Sequence, residues 1–217
     1  MEFKLFDLGL TDFQSAWDFQ KNIFSQARQK EIICAFILCQ HNPTITMGRQ
    51  GHKENILVTK DDLARLNIGF YEIERGGDVT YHGPGQLCVY PIVNLAYFKK
   101  DINWFLRSLE SLILETLSEL GIKAETKPGS TGVWVGQEKI ASIGIAIRGW
   151  ITLHGMSLNV KSSDLANFSL IRPCGQDIIM TSLENVLGEE VEIERVKEIL
   201  IRRWYETSNF ARIRREY

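Results

Sequence analysis

The sequence predicts a mixed α/β domain of the α+β kind. Three segments carry apolar residues at helical spacing, and between them lie one continuously apolar run and several segments with strand-like alternation. Because the helices are set among hairpins, a regular sheet of parallel strands is not expected. No repeat, low-complexity tract or linker composition divides the chain, so residues 1–217 are expected to form a single domain.

The first helix and the first strands are indicated in the amino-terminal half. Thr11 and Gln14 have the spacing of a capping box, and apolar residues recur at helical spacing after them. Residues 32–39 are apolar and rich in β-branched side chains, which predicts a buried strand. Another strand is predicted at 88–93, where Pro91 indicates a sheet edge or a bulge because proline cannot donate a ladder hydrogen bond.

The second half alternates between helix and strand signals. A long helix is predicted to begin after Asp101 as its N-cap and to end at Gly121, because glycine suits the left-handed C′ position. The pair at 136–137 suits a tight hairpin turn. A last helix is predicted at 194–207. The predicted strands of this half lie at 132–135, 140–147 and 150–160.

Composition and charge are ordinary for a folded domain. Hydrophobic residues make up 44% of the chain and charged residues 24%, and the formal net charge is -2. This balance gives no reason to expect nucleic acid or a membrane as partner. The first residues lack the basic and apolar regions of a signal peptide, and no apolar run is long enough to span a bilayer. The cytoplasm is therefore the expected location, where the four cysteines would stay reduced.

Cys174 differs from the other three cysteines in its surroundings. Cys34, Cys39 and Cys88 lie in apolar segments, which predicts buried and inert thiols. Cys174 lies between a proline and a glycine, which favours an exposed turn, and the charge of Arg172 favours thiolate over thiol. This local context leaves a catalytic nucleophile and an inert turn cysteine equally open. The cysteine spacings do not match a zinc site, and no metal is expected.

The least ordinary stretch is residues 75–86, with the sequence RGGDVTYHGPGQ. Its glycines would allow the backbone to approach a ligand closely, although the same composition is also typical of an exposed hairpin. Small residues at alternate positions of the two later strands would leave a slot for a slender ligand. They are Ser142, Gly144, Gly155 and Ser157. Lys139 precedes them and by itself indicates no more than a solvated strand end.

Five blocks of residues, in this order, resemble the bacterial lipoyl(octanoyl) transferases, a family of the biotin and lipoate protein ligase superfamily. The blocks are residues 75–86 with Tyr90 and Pro91, then 132–135, 139–144, 154–160 and 173–175. Met156 and Ser157 depart from the family pattern, where leucine and alanine are frequent. The resemblance implies a biotin/lipoate protein ligase-like fold, with a mixed or antiparallel sheet flanked by helices.

The resemblance also implies an activity: a single catalytic acyltransferase domain without a cofactor. Cys174 would accept an octanoyl group from octanoyl-acyl carrier protein and hold it as a thioester. A lysine of a lipoyl domain would then receive it, on 2-oxoacid dehydrogenase complexes or on the glycine cleavage H protein. Lys139 would lower the pKa of the thiol and transfer protons, with His82 as a second candidate base. The residues implied in substrate binding are Arg75, Gly76, Gly77, Asp78, Val79, Thr80, Tyr81, His82, Ser142, Ile143, Gly144, Gly155, Met156 and Ser157.

Two other functions stay open beside this one. An ATP-dependent lipoate–protein ligase of the same fold would not need a nucleophilic cysteine, so Cys174 argues against it. A non-catalytic module that binds acyl groups or carriers would have no need for both Lys139 and Cys174.

Overall fold

The computed structural model describes residues 3–173 and 178–207. It contains a six-stranded sheet with helices on both faces and a separate three-stranded sheet. The strands are β1 (Phe3–Thr11), β2 (Cys34–His41), β3 (Thr44–Met47), β4 (Gly69–Glu72), β5 (Val79–His82), β6 (Gln86–Val93), β7 (Gly132–Val135), β8 (Glu138–Arg148) and β9 (Ile151–Asn159). In the described residues the helices are α1 (Phe13–Arg28), α2 (Lys60–Arg65), α3 (Ile102–Glu119), α4 (Leu183–Leu187) and α5 (Ile193–Thr207), and short 3-10 helices lie at Lys53–Asn55, Leu95–Tyr97 and Leu165–Leu170. The predicted mixed α/β class is confirmed.

The strand order of the two sheets places the later motifs side by side. The large sheet runs β1-β2-β6-β9-β8-β7, and the small one runs β4-β3-β5. In the large sheet β1 is parallel to β2, and the other neighbouring pairs are antiparallel. No residue pattern predicts β1, which lies at the sheet edge with no fully buried residue. Among the described helices, none combines the length and the apolar character that a membrane span requires.

The large sheet is buried on both faces, and β2 shows this most clearly. Phe36 and Leu38 pack in a cluster with α3 and α5, whereas Ile37 and Cys39 pack in a second cluster with α1. A strand covered on both faces has a continuous apolar sequence, which is why the apolar run predicted it. The strand begins and ends two residues later than predicted, at Cys34–His41.

The observed caps of α1 and α3 can be compared with the predicted ones. The predicted capping box at Thr11 is wrong, because Thr11 is the last residue of β1 and pairs with β2. Asp12 caps α1 instead, with its Oδ1 accepting the Ser15 N–H at 2.8 Å. Asp101 is the N-cap of α3 as predicted, and Gly121 follows the helix with φ +77°. The predicted last helix is confirmed as α5.

Pro91 corrects another prediction, because it lies on a central strand and not at a sheet edge. It pairs with Phe36 of β2, and the ladder between β6 and β9 ends before it, at Val89 and Met156. Its carbonyl accepts a hydrogen bond from the Thr152 hydroxyl at 2.6 Å. The nitrogen and the carbonyl of one strand residue point the same way, so the Pro91 nitrogen also faces β9. An N–H at this position would have no ladder partner in β9, so proline removes no ladder hydrogen bond. Proline is tolerated here because the backbone ladder between the two strands has already ended.

Gly155 lies where the backbone of β6 approaches β9. A Cβ at this position would be 2.1 Å from the Val89 carbonyl oxygen and 2.6 Å from Cδ of Pro91. We therefore expect Gly155→Ala to lower the free energy of unfolding by about 1–3 kcal/mol, the usual cost of overpacking. Urea unfolding would measure this loss. Gly121→Ala is the control, because its Cβ would meet no atom within 4 Å and only the cost of positive φ remains. An unchanged midpoint for Gly155→Ala would contradict the close approach.

Candidate active site

The segment between β4 and β5 carries the first predicted site residues, and backbone hydrogen bonds hold it against the chain after β3. Arg49 N donates to the Arg75 carbonyl at 3.0 Å, and Gln50 N donates to the Gly77 carbonyl at 3.2 Å. The Gln50 side-chain oxygen accepts the Gly77 N–H at 3.0 Å. This segment is therefore a bonded loop, and not the exposed hairpin that its composition also allowed.

Arg75 is buried, and its guanidinium is held by backbone and hydroxyl oxygens. Nη2 donates to the carbonyl and the hydroxyl oxygen of Thr46, at 2.7 and 2.9 Å. Nη1 donates to the Gly76 carbonyl at 3.0 Å, and Gly76 N donates to the Ile145 carbonyl of β8 at 2.8 Å. A Cβ on Gly144 would lie 3.1 Å from Cδ of Arg75. The loop thus covers β8 where the predicted small residues lie.

The small residues of β8 and β9 are brought together as the sequence predicts. Ser142 is directly opposite Ser157, and Gly144 is directly opposite Gly155. The pair between them consists of Ile143 and Met156, so the two predicted triplets face each other across one ladder. Gly155 is thus small for two reasons: it faces Gly144 in the ladder, and its lack of a side chain also allows β6 to approach.

His82 joins the two sheets in a line of hydrogen bonds. Its Nδ1 is 2.7 Å from Oε1 of Gln86, which can only accept, so Nδ1 carries the proton. Gln86 donates to Oδ1 of Asn159 at 2.8 Å, and Asn159 donates to the Thr181 carbonyl at 2.9 Å. Thr181 N in turn donates to the Lys139 carbonyl at 3.0 Å. A continuous chain of hydrogen bonds therefore connects the His82 ring to the backbone of Lys139.

The environment of His82 makes it a weak base. Burial, with a smaller contribution from the nearby His41, lowers the pKa of His82 to about 3. Its ring stacks on Phe13 with centroids 6.3 Å apart, and Nε2 is 3.5 Å from the Thr46 hydroxyl. A neutral imidazole that is packed in this way can line a cavity more readily than it can accept a proton.

The remaining residues of β5 either pack in the hydrophobic core or pair with the neighbouring strand. Val79 and Tyr81 are buried in the cluster beneath the small sheet, and Thr80 pairs with Thr46 of β3. The Tyr81 hydroxyl donates to Oδ2 of Asp164 at 3.1 Å. Burial, followed by the charge of Asp164, raises the pKa of Tyr81, which stays protonated at neutral pH.

Asp78 fixes the chain on the upstream side of Cys174. Its buried carboxylate accepts the side-chain N–H of Asn55 at 2.5 Å and the backbone N–H of His52 at 3.1 Å. The Asn55 carbonyl accepts the Arg172 N–H at 2.8 Å. The 75–78 loop is thereby connected to a residue two positions before Cys174.

Lys139 fixes the chain on the downstream side. Its N–H donates to the Ile179 carbonyl at 2.8 Å, and its carbonyl accepts the Thr181 N–H, which forms a parallel bridge between Lys139 and Met180. Cys174 itself lies in residues 174–177, outside the described residues. The flanking segments are held at Asn55 and at Lys139, so the candidate nucleophile lies between two anchored ends.

The three other cysteines are buried as predicted. Burial raises the pKa of Cys88 to about 12, and burial also raises the pKa of Cys34 and of Cys39. Thiols of this kind carry almost no thiolate at neutral pH and react slowly.

His154 belongs to the 154–160 block, but no residue pattern in the sequence distinguishes it from its neighbours. It has φ +57° within β9, and its N–H donates to the side chain of Gln20 in α1 at 3.0 Å. Its Nε2 is 3.4 Å from Oε2 of Glu74, just before the 75–78 loop. Glu74, Trp17 and residues 47–49 line an open pocket beside that loop. A non-glycine residue with positive φ is strained and often marks a functional site, but this signal exists only in the structure.

Comparison with known proteins gives relatives over nearly the whole chain. Residues 12–204 match the family model described as the lipoyl protein ligase A/B catalytic domain. The chain is 43% identical over 206 residues to an octanoyltransferase of Solibacter usitatus, which covers 95% of this chain and 90% of that relative.

Solved structures with low sequence identity share the fold. A bi-partite lipoate protein ligase from Thermoplasma acidophilum matches with a TM-score of 0.74 and 20% identity, over 95% of this chain and 84% of that chain. The biotin protein ligase of Aquifex aeolicus matches with a TM-score of 0.51 and 16% identity, over 96% and 72%. The fold expected from the motif blocks is confirmed by these two likenesses.

Proposed function

Because this chain belongs to the lipoyl protein ligase A/B catalytic domain family, we propose that its residues form one catalytic domain in which Cys174 carries the acyl group. The protein is an acyltransferase that transfers octanoyl groups in protein lipoylation. The proposal adds the route of transfer, the roles of Cys174 and Lys139, and the partners.

The observation that carries the proposal is the bridge between Lys139 and Met180. It keeps the start of β8 beside the chain that follows Cys174. On the other side, Arg172 is held by Asn55. This arrangement supports a dyad in which the lysine ammonium stabilises a cysteine thiolate, because a free thiol with a pKa of about 8.5 is mostly protonated at pH 7.

In the first step, the Cys174 thiolate would attack the carbonyl carbon of an octanoyl thioester. The new thioester forms as the bond to the donor sulfur breaks, and the donor thiolate takes up a proton. Exchange between two thioesters is nearly balanced in free energy, so the step needs no separate source of energy.

In the second step, the ε-amine of an acceptor lysine would attack the same carbonyl carbon. The amide forms, the Cys174 thiolate leaves, and the proton of the amine passes to a base. Lys139 can take this proton because its ammonium would already have given a proton to the donor thiolate in the first step. The conversion of a thioester into an amide is downhill, so ATP is not required.

The acyl chain would lie along the edge where the 75–78 loop meets the β8–β9 ladder. Gly76 and Gly144 are in contact where the two meet, and Ser142 and Ser157 continue the ladder beyond that contact. Burial of an apolar chain there would be worth about 0.8 kcal/mol per methylene. The proposed acyl site thus comprises Arg75 to His82, Ser142 to Gly144 and Gly155 to Ser157.

The proposed donor is octanoyl-acyl carrier protein, and the proposed acceptors are lipoyl domains of 2-oxoacid dehydrogenase complexes and the glycine cleavage H protein. Relatives that are named octanoyltransferases support an acyl donor and a lipoyl-domain acceptor in general. The cytoplasm is the proposed location, since both partners of the reaction are expected there.

Transfer without ATP is the test of this function. Purified protein, octanoyl-acyl carrier protein and a lipoyl domain should give octanoylated lipoyl domain in a buffer that contains no nucleotide. A lipoyl domain with its acceptor lysine replaced by arginine is the matched control and should gain no mass. If free octanoate with ATP were a substrate and the carrier-bound thioester were not, the chain would be a ligase, and the proposal would be wrong.

A further inference from the structure

The side chain of Lys139 rests on two residues of the neighbouring strand β7. Its Nζ lies 4.9 Å from the centre of the Trp134 ring, within the range of a cation–π interaction. A Cβ on Gly132 would lie 2.6 Å from Cε of Lys139 and 3.2 Å from Nζ. The lysine side chain therefore occupies space that any other residue at position 132 would fill.

A β-bulge explains why Lys139 faces Trp134. The register between β7 and β8 pairs Val133 with Ala141 and then Trp134 with Lys139, so Ile140 is the extra residue of the bulge. Bulges redirect the side chains that follow them and are frequent beside active sites. Directly opposed residues point to the same face of a sheet, so this shift places the ammonium over the indole ring.

The position of Gly132 is fixed from beneath by α3. Its backbone N–H donates to Oε1 of Glu110 at 3.2 Å, and this carboxylate is only 2% exposed. The other oxygen of Glu110 pairs with Arg107 at 2.5 Å. Gly132 has φ +138°, a conformation that suits glycine.

The backbone of Trp134 is fixed on its other side by Glu125. The two residues exchange N–H to carbonyl hydrogen bonds, both of 2.8 Å, and Trp134 is buried. A second cation, Lys127, lies 5.8 Å from the same ring. The two cations near the Trp134 ring thus come from β8 and from the segment before β7.

We infer that Gly132 and Trp134 form a seat that positions the Lys139 ammonium beside Cys174. This inference rests on the proposed function, and it makes Trp134 a positioning residue that acts through Lys139. If the ring is lost, the ammonium loses this contact, and the Cys174 thiolate loses part of the stabilisation that the cation provides.

The test compares Trp134→Leu, which removes the ring, with Trp134→Phe, which keeps an aromatic face. The readouts are the rate of Cys174 alkylation by iodoacetamide as a function of pH, and kcat and KM for octanoyl transfer. For Trp134→Leu we expect about a tenfold slower alkylation at pH 7 and a similar loss of kcat with KM unchanged. Trp134→Phe should retain most of the rate. Trp204→Phe, at another buried tryptophan that lies in α5 and packs on Phe36 of β2, should lower stability without changing the pH profile.

A double-mutant cycle with Lys139→Ala decides whether Trp134 acts through the lysine. In the Lys139→Ala background, Trp134→Leu should cause no further loss, because the cation it positions is absent. An equal tenfold loss in both backgrounds would overturn the inference, and so would an unchanged pH profile for Trp134→Leu. If Lys139→Ala alone left the alkylation profile unchanged, the dyad of the proposed function would be wrong instead.

Discussion

Replacing Cys174 by alanine should lower octanoyl transfer roughly 10⁴-fold or more, because the nucleophile of both steps is removed. The measurement is the rate of octanoylation of a lipoyl domain with octanoyl-acyl carrier protein as donor. The described chain on either side of Cys174 is held by backbone hydrogen bonds of Arg172 and Thr181, which the substitution leaves in place. The unfolding midpoint of the variant should therefore stay close to that of the original protein.

The other cysteines provide the matched controls for this result. Cys34→Ala, Cys39→Ala and Cys88→Ala remove thiols that are buried, and burial raises the pKa of each of them. All three variants should retain transfer activity, with a modest loss of stability from the small cavity. If Cys174→Ala remained active, or if one of the buried cysteines proved essential, Cys174 would not be the acyl carrier.

Replacing Lys139 by alanine should lower transfer by about 10²–10³-fold, because general acid–base groups usually contribute on this scale. The loss of the ammonium should also raise the apparent pKa of Cys174 towards about 8.5, the value of a free thiol. At neutral pH the thiolate fraction then falls, and the alkylation profile moves to higher pH. The rate of alkylation, measured by quenching the reaction at set times over a series of pH values, would report this shift. The buried thiols react slowly, so the signal comes from Cys174.

Lys139→Arg separates the charge of the lysine from its role as a base. Arginine keeps a positive charge near the thiol but stays protonated at any accessible pH. The alkylation profile should therefore recover in part, while transfer to the acceptor amine stays slow. If the profiles of Lys139→Ala and the original protein coincided, Lys139 would have no part in thiol activation.

The class of the fold could be predicted from the sequence because local signals were strong. The apolar run at β2, the N-cap Asp101 and the C′ glycine at position 121 each depend on residues close in sequence. Pro91 was misplaced for the opposite reason. A proline fits at this position because the hydrogen-bonded ladder between β6 and β9 ends at Val89, which is a long-range feature of the sheet.

The candidate site shows the same division. The small residues at alternate strand positions predicted that Ser142 and Gly144 would lie beside the small residues of the next strand, and the register confirms this. The seat under Lys139 could not be predicted, because it depends on the bulge at Ile140 and on a carboxylate of α3 that is distant in sequence. Positive φ at His154 also comes from packing against α1, and no local residue pattern indicates it.

The mass of the protein after mixing with octanoyl-acyl carrier protein alone, without ATP and without acceptor, reports directly on the intermediate. The protein should gain the mass of one octanoyl group, and peptide mapping should place it on the peptide that contains Cys174. Hydroxylamine should remove the group, as expected for a thioester, and later addition of a lipoyl domain should transfer it. An unmodified protein that still octanoylates the lipoyl domain, or an adduct that persists in Cys174→Ala, would contradict the thioester route.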